Sequence, residues 1–355
     1  MKKICFITPS LQKGGMERVI SVLSNYLIDQ GYEISIICVI NGICSYTIDR
    51  RVKHIYPQFN YSRGILNKVK SFRFLYRTFK EENPDIVISF SEVFNPLSIA
   101  VSLLTGDKII ISDRSNPKLK HTLRDNLTRK LTYPLANGII AQTELAKLIF
   151  LRKRYNKNIK VIPNPLKDIV NTVFKPSNKA IITVGRLVDS KNQKELIDLF
   201  YEIRNEEWKL YIVGGGKNEM KLKQQVRDLG LDNCVIFSGE VSDVESWMEK
   251  GSIFAYTSLS EGFPNALNEA MAYPLASIAY NCDAGVSDLI EDSKNGFLIS
   301  MGEHDSYKEK LKLLMDNESL RLSFMEQGIL NREKFKVETI AKTLTDFLSH
   351  TIGKK

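Results

Sequence analysis

The chain alternates short apolar runs with amphipathic stretches along nearly its whole length. Ile4 to Thr8 reads as a strand, and residues 15 to 30 read as a helix because Val19, Ile20, Leu23 and Leu27 recur at helical spacing on one face. The first half continues with strands at Ile34 to Ile40, Ile86 to Ser89, Ile109 to Ser112 and Ile139 to Ala141, and with a helix ending near Glu82. In the second half the runs are Ala180 to Val184, Leu210 to Val213, Val235 to Ser238, Ile253 to Thr257, Ser277 to Tyr280 and Gly296 to Ile299. A strand with one wet face would alternate apolar and polar residues. These runs are apolar almost throughout, which predicts parallel sheets covered by helices on both faces, a doubly wound α/β class.

Between the halves, Val161-Ile-Pro-Asn-Pro-Leu166 precedes a polar stretch reaching Lys179. Two closely spaced prolines continue neither a helix nor a central strand, so this segment is the expected linker. The predicted domains are residues 1–165 and 166–336. A last helix over 337–351 carries Ile340, Leu344, Phe347 and Leu348 on one face. No short internal repeat is present, which excludes solenoids and propellers.

Length agrees with two domains, since 355 residues exceed one compact core. At 43% hydrophobic and 26% charged the chain is an ordinary globular one. No apolar stretch has the length of a transmembrane helix. Met1-Lys-Lys followed by Ile4 resembles a secretion signal, yet the run breaks at Pro9 and has no cleavage site, so a buried first strand is expected instead. Cys5, Cys38, Cys44, Cys234 and Cys282 form no C-x-x-C pair and lie mostly in apolar runs, pointing to a reducing cytoplasm.

The net charge of +9 divides unevenly. Residues 1–170 hold 27 Lys/Arg against 13 Asp/Glu, and residues 171–355 hold 23 against 28. An anionic partner is therefore expected on the first domain. Lys68 to Lys80 reads as a basic amphipathic helix with Phe72, Leu75, Tyr76 and Phe79 on one side, and Lys118 to Lys130 adds five basic residues and His121. An anionic membrane surface fits such a helix, as does packing of its aromatic side on the domain's own sheet. Nucleic acid is disfavoured, because the aromatics follow buried patterns and the second half is acidic.

The strongest candidate chemistry is Glu261-Gly-Phe-Pro-Asn-Ala-Leu-Asn-Glu269, directly after a strand. Pro264 suits the first position of a helix, leaving the N–H groups of Asn265, Ala266 and Leu267 for an anion beside Phe263. Glu261 and Glu269 flank that site, where carboxylates are tolerated if they accept from hydroxyls such as those of ribose or a sugar; a solvated helix cap is the alternative. Gly185-Arg186-Leu followed by Lys191 sets a planar fork and a point charge beyond a strand, together suited to a diphosphate. The glycine turn at Gly214 and Gly215 would let backbone approach a ligand. In the first half, Gly14 and Gly15 lie between strand and helix, but neither G-x-G-x-x-G nor a P-loop is present.

Four motifs in register, Gly14-Gly15-Met-Glu-Arg18, Gly185-Arg-Leu with Lys191-Asn, the Gly214 turn and the Glu261/Glu269 pair, give the chain its resemblance to a family. It resembles the retaining glycosyltransferases of the GT-B fold, specifically the large family-4 group. The resemblance implies two Rossmann-like domains facing across a cleft, with the last helix crossing back to the first domain, so that residues 337–355 belong there. It implies a nucleotide-diphosphate sugar, probed first as UDP-hexose or UDP-N-acetylhexosamine, on the second domain and a glycan or polyprenyl-pyrophosphate-linked glycan as acceptor. Arg186 and Lys191 are then the diphosphate's cations, Glu269 the ribose ligand and Glu261 the contact to the sugar's hydroxyls. Gly14 and Gly15 are to close on the diphosphate from the first domain. Neither cofactor nor metal is implied, since Asp-x-Asp is absent. Where many relatives carry a histidine, this chain has Asp113-Arg114-Ser-Asn116-Pro, making Asp113, Arg114 and Asn116 acceptor-side candidates; a strand-end ion pair with an Asn-Pro turn is the equal alternative. A sugar-nucleotide epimerase of the same architecture is the competing activity.

Overall fold

A computed structural model describes residues 2–59, 61, 64–166, 175–283 and 285–353. The chain divides into two compact units, Met1–Lys167 with Phe335–Lys355, and Asp168–Lys334. Residues 167–174 of the expected linker lie outside the described residues.

Unit 1 runs β1 (Lys3–Thr8), α1 (Gly15–Asp29), β2 (Glu33–Cys38), β3 (Lys53–Ile55), α2 (Ile65–Glu82), β4 (Ile86–Ser89), α3 (Asn95–Thr105), β5 (Ile109–Ser112), α4 (Leu123–Thr132), β6 (Gly138–Ala141), α5 (Glu144–Arg152) and β7 (Ile159–Val161). All its strands pair in parallel, in the order β3-β2-β1-β4-β5-β6-β7. Side chains alternate across the sheet. Ile4 and Phe6 enter a core with α1, whereas Cys5 and Ile7 enter one on the opposite face with Leu75 and Phe79 of α2. Burial pushes the Cys5 and Cys38 thiols up to about 12. The edge strands β3 and β7 were not marked by apolar runs, because each is three residues long and its residues are half-buried or exposed.

Unit 2 runs β8 (Ala180–Val184), α6 (Gln193–Ile203), β9 (Lys209–Val213), α7 (Glu219–Asp228), β10 (Val235–Gly239), α8 (Glu245–Met248), β11 (Ile253–Tyr256), α9 (Asn265–Ala272), β12 (Ala276–Tyr280), α10 (Val286–Leu289), β13 (Gly296–Ile299), α11 (His304–Asp316) and α12 (Glu318–Asn331). Its parallel sheet has the order β10-β9-β8-β11-β12-β13. The buried Arg321 of α12 donates to the carbonyls of Leu314 and Met315 at 2.6 and 2.9 Å, satisfying the end of α11 with a cation. In both sheets the strand order reverses beside the first strand, at β1/β4 and β8/β11. The loops leaving the carboxyl ends of such a pair diverge to opposite faces and open a crevice.

The chain returns to unit 1 for its last helix, α13 (Val337–Gly353). Ile340, Leu344, Phe347 and Leu348 join Val19, Leu23 and Leu27 of α1 in one core. Leu344 is almost fully buried there. Leu344→Ala is therefore expected to destabilise unit 1 by about 2–5 kcal/mol through the cavity it leaves. Hydrogen exchange should show lowered protection in β1 and α1 with unit 2 unaffected; equal loss in both units would contradict the division.

Candidate active site

In unit 2 the candidate residues converge on the β8/β11 switch point. β8 ends at Val184 and leads through Gly185, Arg186 and Leu187 into a short 3-10 turn, Asp189–Lys191. β11 ends at Tyr256 and leads to Glu261 and α9. The two loops are tied together. The Thr257 hydroxyl donates to the carbonyls of Lys191 and Asn192 at 3.2 and 3.1 Å, and the Leu259 N–H donates to the Ser190 carbonyl at 2.8 Å. Between them sits a three-residue polar cluster. The Lys191 ammonium donates to Glu261 Oε1, the Tyr256 hydroxyl donates to the same oxygen at 2.6 Å, and the Lys191 Nζ lies 5.8 Å from the Tyr256 ring centre. Burial pushes the Tyr256 phenol far above its ordinary value, and the Glu261 charge adds to the shift, so Tyr256 remains a donor. Lys191 and Glu261 keep 19% and 12% of their side-chain surface exposed, enough to meet a ligand.

Arg186 is exposed and is positioned through its backbone, whose carbonyl accepts from the buried Gln193 side chain at 3.1 Å. The glycines around it have a specific role. Gly185 and Gly214 have φ of +156° and +132°, and a Cβ on Gly214 would stand 2.2 Å from the Gly185 carbonyl oxygen. Gly216 likewise meets Leu187 backbone at 2.5 Å. The turn expected to bring backbone to a ligand thus brings backbone to backbone, seating the Arg186 loop on the end of β9. Gly215 is free of such crowding.

Pro264 precedes α9 as its N-cap instead of forming its first residue, because its ψ of 70° is not helical. Asn265 consequently spends its N–H on the Phe263 carbonyl at 3.0 Å, which corrects the expectation of three available amides. Ala266 and Leu267 follow in the first turn, which has no side-chain cap. Phe263 and Leu267 are buried, and Glu269 stands half-buried one turn further on.

In unit 1, Gly14 is the extended N-cap of α1, and its N–H is not available: it donates to the Tyr46 hydroxyl at 2.8 Å, which donates back to the Gly14 carbonyl at 2.6 Å. Glu17 lies against the same helix start, with Oε2 at 2.2 Å from where a Gly14 Cβ would stand. Burial raises its pKa, opposed by its own backbone N–H and by Arg114. Gly15, the first helical residue, is exposed.

Asp113 is almost fully buried and committed: it accepts from Arg129 at 2.7 Å, Tyr133 at 3.2 Å and Ser115 at 2.7 Å. It makes the strand-end ion pair, and its carboxylate holds β5 to α4. Arg114 stacks 4.6 Å from the Phe90 ring centre, donates to Ser112 Oγ at 3.1 Å and to Asn164, and burial lowers its pKa. Asn116 makes a local turn, accepting from the Lys118 N–H at 2.8 Å. Sequence reasoning missed Tyr256, which ends an apolar strand and so reads as core, and Tyr46, whose partner is far away in sequence. Among the described residues no group of three or more His, Cys, Asp or Glu side chains is placed to hold a metal ion.

Residues 13–168 match the family model described as Glycosyltransferase Family 4, and residues 167–330 match Glycosyl transferases group 1. An alpha-1,4-N-acetyl-D-galactosaminyltransferase of Campylobacter jejuni, named for a PP-undecaprenol-linked acceptor, is 27% identical over 96% of this chain and 96% of its own. A lipopolysaccharide 1,6-galactosyltransferase of Salmonella typhimurium is 28% identical over 89% of this chain and 90% of its own. Among solved structures, Anabaena HepE in complex with UDP and glucose superimposes with a TM-score of 0.80 at 19% identity, covering 99% of this chain and 100% of HepE. Two family models that between them match residues 13–330, on a fold shared over its full length with solved relatives, make this chain a GT-B glycosyltransferase of the family-4 type.

Proposed function

We propose that this glycosyltransferase moves a hexose or N-acetylhexosamine from a UDP-sugar to a glycan or polyprenyl-pyrophosphate-linked glycan in cell-surface polysaccharide synthesis. The reading has the anomeric configuration retained and no metal ion or other cofactor required. The observation that carries it is the Lys191, Glu261 and Tyr256 cluster at the switch point of a parallel sheet, where ligands of such sheets bind. The C. jejuni and Salmonella relatives are named for lipid-linked and lipopolysaccharide acceptors, and UDP with glucose occupies HepE. No helix among the described residues is long and apolar enough to cross a membrane. In this reading the enzyme works in the cytoplasm, peripheral on the inner face of the cytoplasmic membrane, where a lipid-linked acceptor would be met.

In this reading Arg186 and Lys191 meet the donor diphosphate. An ammonium has three donor hydrogens, so Lys191 keeps one on Glu261 and turns the others to phosphate. Glu261 and Tyr256 thereby fix the direction of the lysine before substrate arrives, and the free carboxylate oxygen of Glu261 accepts from a sugar hydroxyl. Glu269 accepts from ribose, and the uncapped first turn of α9 at Ala266 and Leu267 faces the sugar-phosphate. As the bond between the sugar C1 and the phosphate oxygen breaks, negative charge grows on the leaving nucleotide, where preoriented cations stabilise it more than they stabilise the ground state. The acceptor hydroxyl oxygen bonds C1 on the same face, and a departing phosphate oxygen takes its proton. Arg114 and Asn116, on the loop after β5, are the acceptor-side candidates, and the buried Asp113 positions that loop by holding its strand end.

Arg186→Ala and Lys191→Ala should each lower kcat by about 10²–10³-fold, and Glu269→Ala should raise KM for donor, in initial-rate assays with UDP-sugars. Near-normal rates in all three would remove the site assignment. Tyr256→Phe keeps the buried ring and deletes one hydrogen bond to a charged group, so a loss of about tenfold is expected. A thermal-shift panel of nucleotide diphosphates should respond to UDP above the others, and linkage analysis of the product should show the donor's anomer; inversion would rule out the front-face route.

A further inference from the structure

The first turn of α6 carries two side chains that reach back onto the β8 loop. Gln193 donates to the Arg186 carbonyl at 3.1 Å, and Glu195 accepts from Asn192, the residue that follows Lys191. Asn192 stands in the left-handed region, at φ +53° and ψ 36°, a conformation glycine adopts freely and asparagine keeps only with support. It is the N-cap of α6, yet its side chain makes no cap to the helix backbone. Its amide is spent on Glu195 Oε2.

Glu195 occupies the third position of the helix, where a glutamate ordinarily turns back to the N–H of the N-cap and completes a capping box. That N–H is already taken by the Asp189 carbonyl at 3.2 Å. The carboxylate has a different partner on each oxygen: the Asn192 amide on Oε2 and the Tyr280 hydroxyl on Oε1 at 2.5 Å, with His304 Nδ1 at 3.5 Å from Oε1. Tyr280 ends β12, is 1% exposed and packs on Tyr307 with ring centres 4.7 Å apart, so it is a firm anchor. Burial, and then the bond to Glu195, push its phenol above the ordinary value, which keeps it a donor. Two pairs of glutamate and tyrosine therefore act on one turn. Glu261 with Tyr256 holds the Lys191 ammonium, and Glu195 with Tyr280 holds the next residue.

We propose that Glu195, anchored by Tyr280, is a positioning residue for the transfer: by locking Asn192 in its left-handed conformation it fixes the exit of the Lys191 turn and so aims the ammonium at the donor diphosphate. The proposal rests on the reading of Lys191 as a diphosphate cation given above, and Glu195 itself touches no substrate. Its carboxylate ties the loop to a third strand. β9 holds the loop through Gly185, β11 through Thr257, and β12 through Tyr280 and Glu195. Without the carboxylate, Asn192 loses the bond that supports a costly backbone conformation, and its return toward right-handed backbone turns the lysine before it away.

The test is a double-mutant cycle on the binding of UDP, read by isothermal titration calorimetry of the full chain. E195A should weaken binding about fivefold in the wild-type background and less than about twofold beside K191A, because a residue that acts through Lys191 has nothing to position once the lysine is gone. N192G takes the left-handed backbone without support, so N192G/E195A should regain most of what E195A loses. Y280F should show a smaller loss, coupled to Lys191 in the same way. The cycle repeated with E195Q, which keeps the side-chain shape and offers one carbonyl oxygen to two donors, covers the case in which E195A fails to fold. A loss that stays at full size beside K191A, or that glycine at position 192 leaves untouched, would mark Glu195 as merely structural and overturn the proposal. A wild type that ignores UDP would remove the donor reading and this proposal with it. A wild type that binds UDP, weakens in K191A and keeps full affinity in E195A and E195Q would remove this proposal alone.

Discussion

At Gly185 and Gly214 two backbones approach so closely that a single methyl group would stand 2.2 Å from a carbonyl oxygen. Everything in the unit 2 site depends on that approach. The Gly185 N–H donates to the Val213 carbonyl and the Leu187 N–H to Gly215, so the loop leaving β8 is held to the end of β9 before it turns away. The same loop carries Arg186 exposed on one side and leads into the 3-10 turn that delivers Lys191. The methylenes of Lys191 lie over Gly185, 3.7 Å from where a Cβ would stand. Glycine here removes the side chain that would prevent one loop from resting on another, and the cations are placed as a result.

The second half of the site is held from β11. Thr257 and Leu259 bind the carbonyls of the β8 loop, so the segment bearing Glu261 cannot drift from Lys191 without giving up three hydrogen bonds. A buried tyrosine, its phenol pushed well above the ordinary value, supplies the Glu261 carboxylate with a second donor. The cluster is thus nearly neutral as a unit while its lysine keeps donor capacity to spare. In unit 1 the ends of β1 and β5 are organised differently. There Asp113, Arg129 and Tyr133 form a closed buried network, and Glu17 fills the start of α1 that the glycines seemed to leave open.

What the sequence revealed follows from distance along the chain. Central strands were legible because burial on both faces demands an uninterrupted apolar run; β3 and β7 were not, because each is three residues long and none of those residues is fully buried. β7 even occupies the start of the Pro-rich stretch that reads as a linker. Arg186, Lys191, Glu261 and Glu269 stood out since each lies in a short local pattern of glycine, proline and charge. Tyr256 did not, because an aromatic residue ending an apolar strand has the same local signature whether or not its hydroxyl has a task. The seal between Gly14 and Tyr46, and the pairing of Asp113 with Arg129, join residues whose neighbours in sequence say nothing of each other.

The return of α13 to unit 1 sets an order on synthesis. Unit 2 lies wholly inside the sequence of unit 1, so it is synthesised before Leu344 and Phe347 exist to complete the core around α1. The basic unit is therefore the one whose core is completed last, with Val19, Leu23 and Leu27 uncovered until α13 docks. A chain cut before α13 would keep every residue of the second unit and leave the α1 face of the first without its cover.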